Sequence, residues 1–224
     1  MIKERPQIIN RISLTSLMVL LLFIITGCGG GKQSDSTVVI GEQEWMKSNL
    51  NVTLFRNGDT IPHAGSDEEW RSAGELGQPA WCYYNNDPSN DKEHGKLYNW
   101  YAVNDWRGLA PEGWSIPSYS DLMILGEHLG GVKEAGKKMK VKELWGRMAG
   151  GTNESGFSGK AGGSRDYEGV FSTSATGYWW TSDELSGFPK SAWHFSLSPG
   201  NDALYSSPLD KRYGFSVRCL KLQP

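Results

Sequence analysis

Tyr178-Trp179-Trp180-Thr181, Ala192-Trp193-His194-Phe195, Ala203-Leu204-Tyr205 and Phe215-Ser216-Val217-Arg218-Cys219 are short aromatic or β-branched runs separated by glycine-punctuated segments. Runs of this length and composition, bounded by turn residues, read as successive strands of an antiparallel sheet. Upstream lies one clear helix. Ser118 follows Pro117 and stands three residues before Asp121; Leu122, Leu125 and Leu129 then fall on one face, and Gly130-Gly131 stops the run. That is the pattern of a capped core helix. Ser66-Asp67-Glu68-Glu69 has the form of a capping box and starts a short helix through Leu76. At the front, Val38-Val39-Ile40 before Gly41 reads as a strand, with Gln43 to Met46 its hairpin partner. The aromatic stretches Pro79 to Tyr84 and Leu97 to Val103 read as strand or short helix. Together these elements predict an α+β domain of small antiparallel sheets with one or two core helices and long loops.

The composition agrees. The chain holds 28 Gly together with 10 Trp, 9 Tyr and 7 Phe, yet only 38% hydrophobic residues, so its core is built from rings between tight turns. Net charge is −2 overall. The first 27 residues carry Lys3, Arg5 and Arg11 against Glu4, which leaves the remainder near −4. Nucleic-acid binding needs a basic excess that displaces phosphate counterions, and this balance excludes it. From Thr37 onward there is no further linker, low-complexity run or fixed-period repeat, so one domain is expected over residues 37–222.

The N-terminal segment is basic, then apolar over Leu17 to Ile25, then small at Thr26-Gly27-Cys28. This is the order of an export signal, and the apolar run is about half the roughly 20 residues that a spanning helix needs. Ile25-Thr26-Gly27-Cys28 resembles the lipobox of bacterial lipoproteins, with Ile25 where Leu is usual. The expectation is a signal peptide over residues 1–27, lipidation of Cys28, and a flexible tether over 28–36 (CGGGKQSDS). Two or three acyl chains, at about 0.8 kcal/mol per buried methylene, make the membrane a permanent partner. Gly29 is not the Asp that retains such proteins at the inner membrane in enterobacteria, so the expected location is the outer membrane, lipid-anchored.

Several pieces, in order, carry a family resemblance: Ile40-Gly41-Glu42-Gln43-Glu44-Trp45-Met46, Asn49-Leu50, Tyr84-Asn85-Asn86-Asp87 and Gly95-Lys96-Leu97-Tyr98-Asn99-Trp100-Tyr101-Ala102-Val103. They continue as Pro111-Glu112-Gly113-Trp114-Ser115-Ile116-Pro117, Thr152-Asn153-Glu154-Ser155-Gly156-Phe157, Gly177-Tyr178-Trp179-Trp180-Thr181-Ser182 and Tyr213-Gly214-Phe215-Ser216-Val217-Arg218-Cys219. In these the chain resembles the Fibrobacter succinogenes major paralogous domain over residues 38 to 221. The resemblance implies a C-type-lectin-like fold, in which N- and C-terminal strands pair and a loop-rich insertion presents any binding surface. It implies no established activity. The fold class also includes formylglycine-generating oxygenases, a fold-level analogy that licenses no chemistry. One departure stands out: the family commonly has a cysteine where this chain has Ala110. If that residue normally bridges to the last strand, Cys219 lacks its usual partner. Cys82 is then the one candidate besides Cys28, and a Cys82–Cys219 disulfide is expected in an oxidising envelope.

Catalytic chemistry finds little support. His63, His94, His128 and His194 sit in no nucleophile elbow or other local signature, and there is no His-x-x-x-His or Cys-x-x-Cys. No metal or cofactor is expected. The run Asn85 to Glu93 is rich in hard oxygen ligands of the kind calcium takes, but it lacks EF-hand spacing, and its Asn and Asp read first as ordinary turn residues. Trp179, Trp180, Trp193 and Tyr205 are candidates either for stacking on sugars or for filling the core, and the basic run Lys133 to Lys142 reads as a solvated helix face. The expected function is a surface or periplasm-facing lipoprotein with a non-enzymatic domain that binds an unidentified glycan or protein. The competing readings are an extracytoplasmic enzyme of the formylglycine-generating type, which needs a reactive cysteine pair, and a structural envelope protein.

Overall fold

The computed structural model describes residues 37–222 except 144, 146–149 and 173–174, so the expected signal, the tether and Cys28 lie outside the described residues. Strand β1 (Thr37–Ile40) turns at Gly41 into β2 (Gln43–Met46), with Val38 opposite Trp45 and Ile40 opposite Gln43. Gly41 takes φ 64°, and a Cβ there would stand 2.9 Å from the His128 ring. Both conformation and space therefore demand glycine. Helix α1 (Asp67–Glu75) starts at the expected capping box: Ser66 Oγ accepts from the Glu69 N–H, and Glu69 accepts from the Ser66 N–H. Its inner face is set by Trp70, buried in the core.

The aromatic middle alternates between strand and helix over very short distances. Strand β3 (Trp81–Cys82) is followed by helix α2 (Asp91–His94), strand β4 (Leu97–Asn99) and helix α3 (Trp100–Val103). Asn99 makes the switch: its Oδ1 accepts from the Ala80 N–H across the sheet and from the Ala102 N–H as the helix cap. Strand β5 (Trp114–Ser115) leads to α4 (Tyr119–His128), capped by Ser118 and Asp121 as expected. Leu122 and Leu125 are fully buried and Leu129 nearly so, each contributing about 2 kcal/mol of burial.

Helix α5 (Val132–Met139) occupies part of the basic run, with Ala135, Gly136 and Met139 inward. The expectation of a solvated face fails at Lys140. Its side chain is buried and donates to the carbonyls of Ser198 and Asn201, so it ties two loops together. Strands β6 (Gly177–Glu184), β7 (Ser191–Leu197) and β8 (Tyr205–Asp210) form an antiparallel sheet close to the one expected. Ala203 and Leu204 stay outside β8, because the Leu204 N–H is drawn to the Val132 carbonyl at 2.7 Å.

The run Phe215 to Cys219 is not one strand. β9 (Gly214–Phe215) pairs with β4, and β10 (Leu220–Lys221) pairs with β2 and β5. Between them Ser216 exchanges backbone bonds with Tyr178 and Trp180, while the Val217 carbonyl accepts from Leu50 and that of Cys219 from Met46. One segment thus stitches together all three sheets, whose orders are β1-β2-β10-β5, β3-β4-β9 and β6-β7-β8. The result is an α+β domain of small antiparallel sheets.

Candidate functional site

Asn49 and Arg218 form the polar centre of the core. Trp179 Nε1 donates to Asn49 Oδ1 at 2.8 Å, and Arg218 donates to the same oxygen from Nε at 3.1 Å and Nη2 at 2.7 Å. Arg218 Nη1 reaches the carbonyls of Phe157 (2.6 Å) and Met46 (3.1 Å), and its guanidinium lies 4.6 Å from the Phe157 ring centre. Asn49 Nδ2 donates to the His94 carbonyl and to Ser216 Oγ. No carboxylate is among these partners of Arg218. Its charge is held by neutral oxygens and a ring face, and burial pulls the guanidinium below its ordinary range. A second buried cation, Arg165, pins α1 to the loop that follows it in space: it donates to the carbonyls of Ala64 and Gly169 and to Asp67, beside the rings of Trp70 and Phe171. Both arginines are sealed from solvent and hold the fold together.

The accessible chemistry lies along α1. An open cleft of about 550 Å³ is lined by Pro62, His63, Ala64, Ser66, Glu68, Glu69, Ser72, Ala73, Gln78 and Ala80. Its fixed wall is His63, exposed to solvent yet stacked on Trp81 with ring centres 4.3 Å apart and 29° between planes. The strand-like segment carrying it is zipped to β3: Trp81 N–H donates to the Pro62 carbonyl, Ala64 N–H to the Trp81 carbonyl, and Trp81 Nε1 to the Ile61 carbonyl. Tyr83 meets the edges of both rings, and Lys96 Nζ sits 4.8 Å from the Trp81 ring centre while paired to Asp91 at 2.8 Å. Ser66 and Glu69 are occupied by the helix cap, which holds the Glu69 carboxyl below its usual range through the Ser66 backbone bond. A smaller cleft of about 240 Å³ between Glu75, Tyr101, Lys190 and Arg212 is dominated by the Arg212–Asp210 ion pair.

The sequence model of the family described as the Fibrobacter succinogenes major domain matches residues 38–221. The chain belongs to that family. No curated protein and no solved structure matches it. In this Fibrobacter succinogenes major domain, the motif pieces at Asn49, Phe157, Trp179 and Arg218 converge on one buried network, so their role is architectural. The Leu97 to Val103 piece likewise supplies Tyr98 and Trp100 to the core, where Trp100 Nε1 donates to the Thr181 carbonyl.

The other expected site residues disperse through the domain. Cys82 and Cys219 are free thiols in separate core clusters, and the structure does not bring them together as a disulfide. Burial pushes each up to about 12, out of reach of thiolate chemistry. Trp179 and Trp180 are fully buried, and Trp193 is half-buried against Tyr119, whereas Tyr205 is exposed. His194 is enclosed by Tyr178, Trp180 and Phe215, and His128 backs onto Gly41. In the run Asn85 to Glu93, Asp87 caps Ser89, Asn90 donates to the Tyr84 carbonyl and Asp91 pairs with Lys96. Among the described residues no group of three or more His, Cys, Asp or Glu side chains is placed to hold a metal ion, and no helix is long and apolar enough to cross a membrane. His63, Ser72 and Gln78 were not legible as a site. The sequence signal there, a capping box and an isolated histidine, says nothing of the approach of residues 61–64 to β3.

Proposed function

We propose that this is a lipid-anchored, surface or periplasm-facing protein whose domain binds a ligand rather than transforms one. The observation that carries the reading is the contrast between interior and surface. The motif residues Asn49, Phe157, Trp179 and Arg218 and both thiols are locked inside the core, while one open cleft presents polar side chains beside a fixed ring. The pairing of β2 with both β1 and β10 brings the two ends of the domain together, which supports a C-type-lectin-like arrangement in which the loop-rich middle carries recognition. Thiols raised to about 12 weigh against an oxygenase that works through a reactive cysteine pair. The order of basic, apolar and small residues ending at Cys28 supports lipid attachment at the outer membrane, with Gly29 to Ser36 as tether.

Fractionation of Cys28→Ala tests the anchor: release from membranes or stalled processing is expected, and unchanged cleavage and membrane retention overturn it. An array of oligosaccharides and envelope proteins tests the domain. Saturable retention without chemical change of the ligand is expected, whereas turnover abolished by one substitution that leaves the fold intact makes the protein an enzyme.

A further inference from the structure

We propose that the cleft along α1 is a saccharide site in which an uncharged pyranose packs on the exposed His63 ring and its hydroxyls are met by Glu68, Ser72 and Gln78. The inference rests on the reading of the domain as a binder, and it names the surface and the ligand class.

Four features of the cleft select this chemistry. Its size, about 550 Å³, lies within the roughly 300–1,000 Å³ that small-molecule sites occupy. It is open and polar, however, where sites for apolar ligands are enclosed and greasy. An open polar cleft with one flat wall suits a ring that is itself flat on its C–H face and hydroxylated at its rim. The wall is held in advance: His63 is stacked on Trp81, meets Tyr83 at its edge, and is backed by a backbone ladder to β3. A ligand that packs on it therefore immobilises little that was free.

The polar groups are unoccupied. The side chains of Glu68, Ser72 and Gln78 and the ring nitrogens of His63 make no hydrogen bond within the described residues, whereas Ser66 and Glu69, on the same rim, are taken by the helix cap. A carboxylate, a hydroxyl and an amide together offer both donors and acceptors, as hydroxyl groups require. Charge then decides between sugars. Glu68 and Glu69 line the cleft, and the nearby cations Arg165 and Lys96 are paired to Asp67 and Asp91. Uronic or other acidic sugars meet uncompensated like charge and are rejected.

Gly65 supplies a check on the platform itself. A Cβ there would stand 3.2 Å from His63 Cε1, so a side chain at residue 65 would crowd the ring.

The test uses the full chain in detergent on an array of neutral oligosaccharides (cello-, malto-, xylo- and N-acetylglucosamine oligomers) beside polygalacturonate. At least one neutral oligomer binds saturably and polygalacturonate does not. His63→Ala lowers that affinity at least tenfold and Gln78→Ala severalfold, while His63→Phe, which keeps a ring on Trp81, retains most of it. Because His63 and Gln78 are exposed, unchanged melting temperatures confirm that each variant is folded. Binding of a neutral oligomer that survives both alanine substitutions overturns this site but leaves the binder reading standing. Preference for polygalacturonate overturns the ligand class. Absence of any glycan binding, with retention of an envelope protein instead, also overturns the site while preserving the binder reading.

Discussion

Arg218 directs two nitrogens, at 3.1 and 2.7 Å, onto the single side-chain oxygen of Asn49, a residue 169 positions earlier. Trp179 shares that oxygen at 2.8 Å. Asn49→Ala leaves a buried guanidinium short of an acceptor and an indole N–H with none. Losing an acceptor at a buried charged donor costs about 1.5–3 kcal/mol, and the urea midpoint should fall accordingly. A change below about 0.5 kcal/mol, the size of an ordinary surface substitution, contradicts the structural role given to this network.

His194 makes stability depend on acid. Burial lowers it to about 4 from the usual 6.5, slightly offset by a contact with the Ser207 backbone, and its Nδ1 has no partner. Between those two values the unfolded chain binds a proton that the folded chain refuses. Stability therefore falls as pH drops from 6.5 towards 4, by about 3 kcal/mol in all at 1.36 kcal/mol per unit, and is unaffected above 6.5. His194→Phe keeps a ring among Tyr178, Trp180 and Phe215 and should flatten that limb of the curve. Equal slopes for parent and variant in denaturant titrations across this range would sink the idea.

Gly136 opposes helix propensity to packing. In the interior of an exposed helix, Gly→Ala gains about 1 kcal/mol. In α5, however, an added Cβ would lie 2.3 Å from the Ala203 carbonyl oxygen and 2.9 Å from that of Asp202, both of them backbone. Moving that loop also disturbs the Lys137 N–H bond to the Asp202 carbonyl and the Leu204 bond to Val132. Overpacking of this kind costs about 1–3 kcal/mol, so Gly136→Ala is expected to lower the thermal midpoint; a rise would show that the loop yields freely.

Cys219 shares its core cluster with Ala110. One residue reaches both: Arg56 donates twice to the Ala110 carbonyl while its charge acts on the Cys219 thiol. In the parent protein both thiols should be recovered free and should label only after unfolding. Ala110→Cys is expected to bridge to Cys219 under oxidising conditions, and closing a loop of about 100 residues stabilises by nearly 5 kcal/mol in the chain-entropy account. Non-reducing peptide mapping decides both points: a Cys82–Cys219 peptide in the parent, or no bridge in the variant, refutes the placement.

What local sequence governs was legible. The capping boxes at Ser66 and Ser118, the leucine face of α4, the β1–β2 hairpin and the strands around Trp179 and Phe195 depend on neighbours within a few residues. Long-range competition for backbone groups was not. Phe215 to Cys219 has the composition of one strand, yet Tyr178, Leu50 and Met46 claim its polar groups in turn. Lys140 looks like any surface lysine, and its burial follows from two carbonyls some sixty residues away. The cleft escaped for the same reason, because His63 acquires meaning only once Trp81 lies beneath it.

The position of β10 between β2 and β5 also constrains how the domain comes into being. The first sheet is complete only when the second-last described residue of the chain, Lys221, arrives beside Trp114, with Leu220 between Trp45 and Ser115. Contacts that span nearly the whole sequence are slow to form, since the closure entropy precedes the reward. A chain emerging N-terminus first would hold its early hairpin, with Trp45 uncovered, until β10 follows. Assembly of the domain is therefore gated at β10, and the interval before that strand docks is when it most needs protection from its own kind.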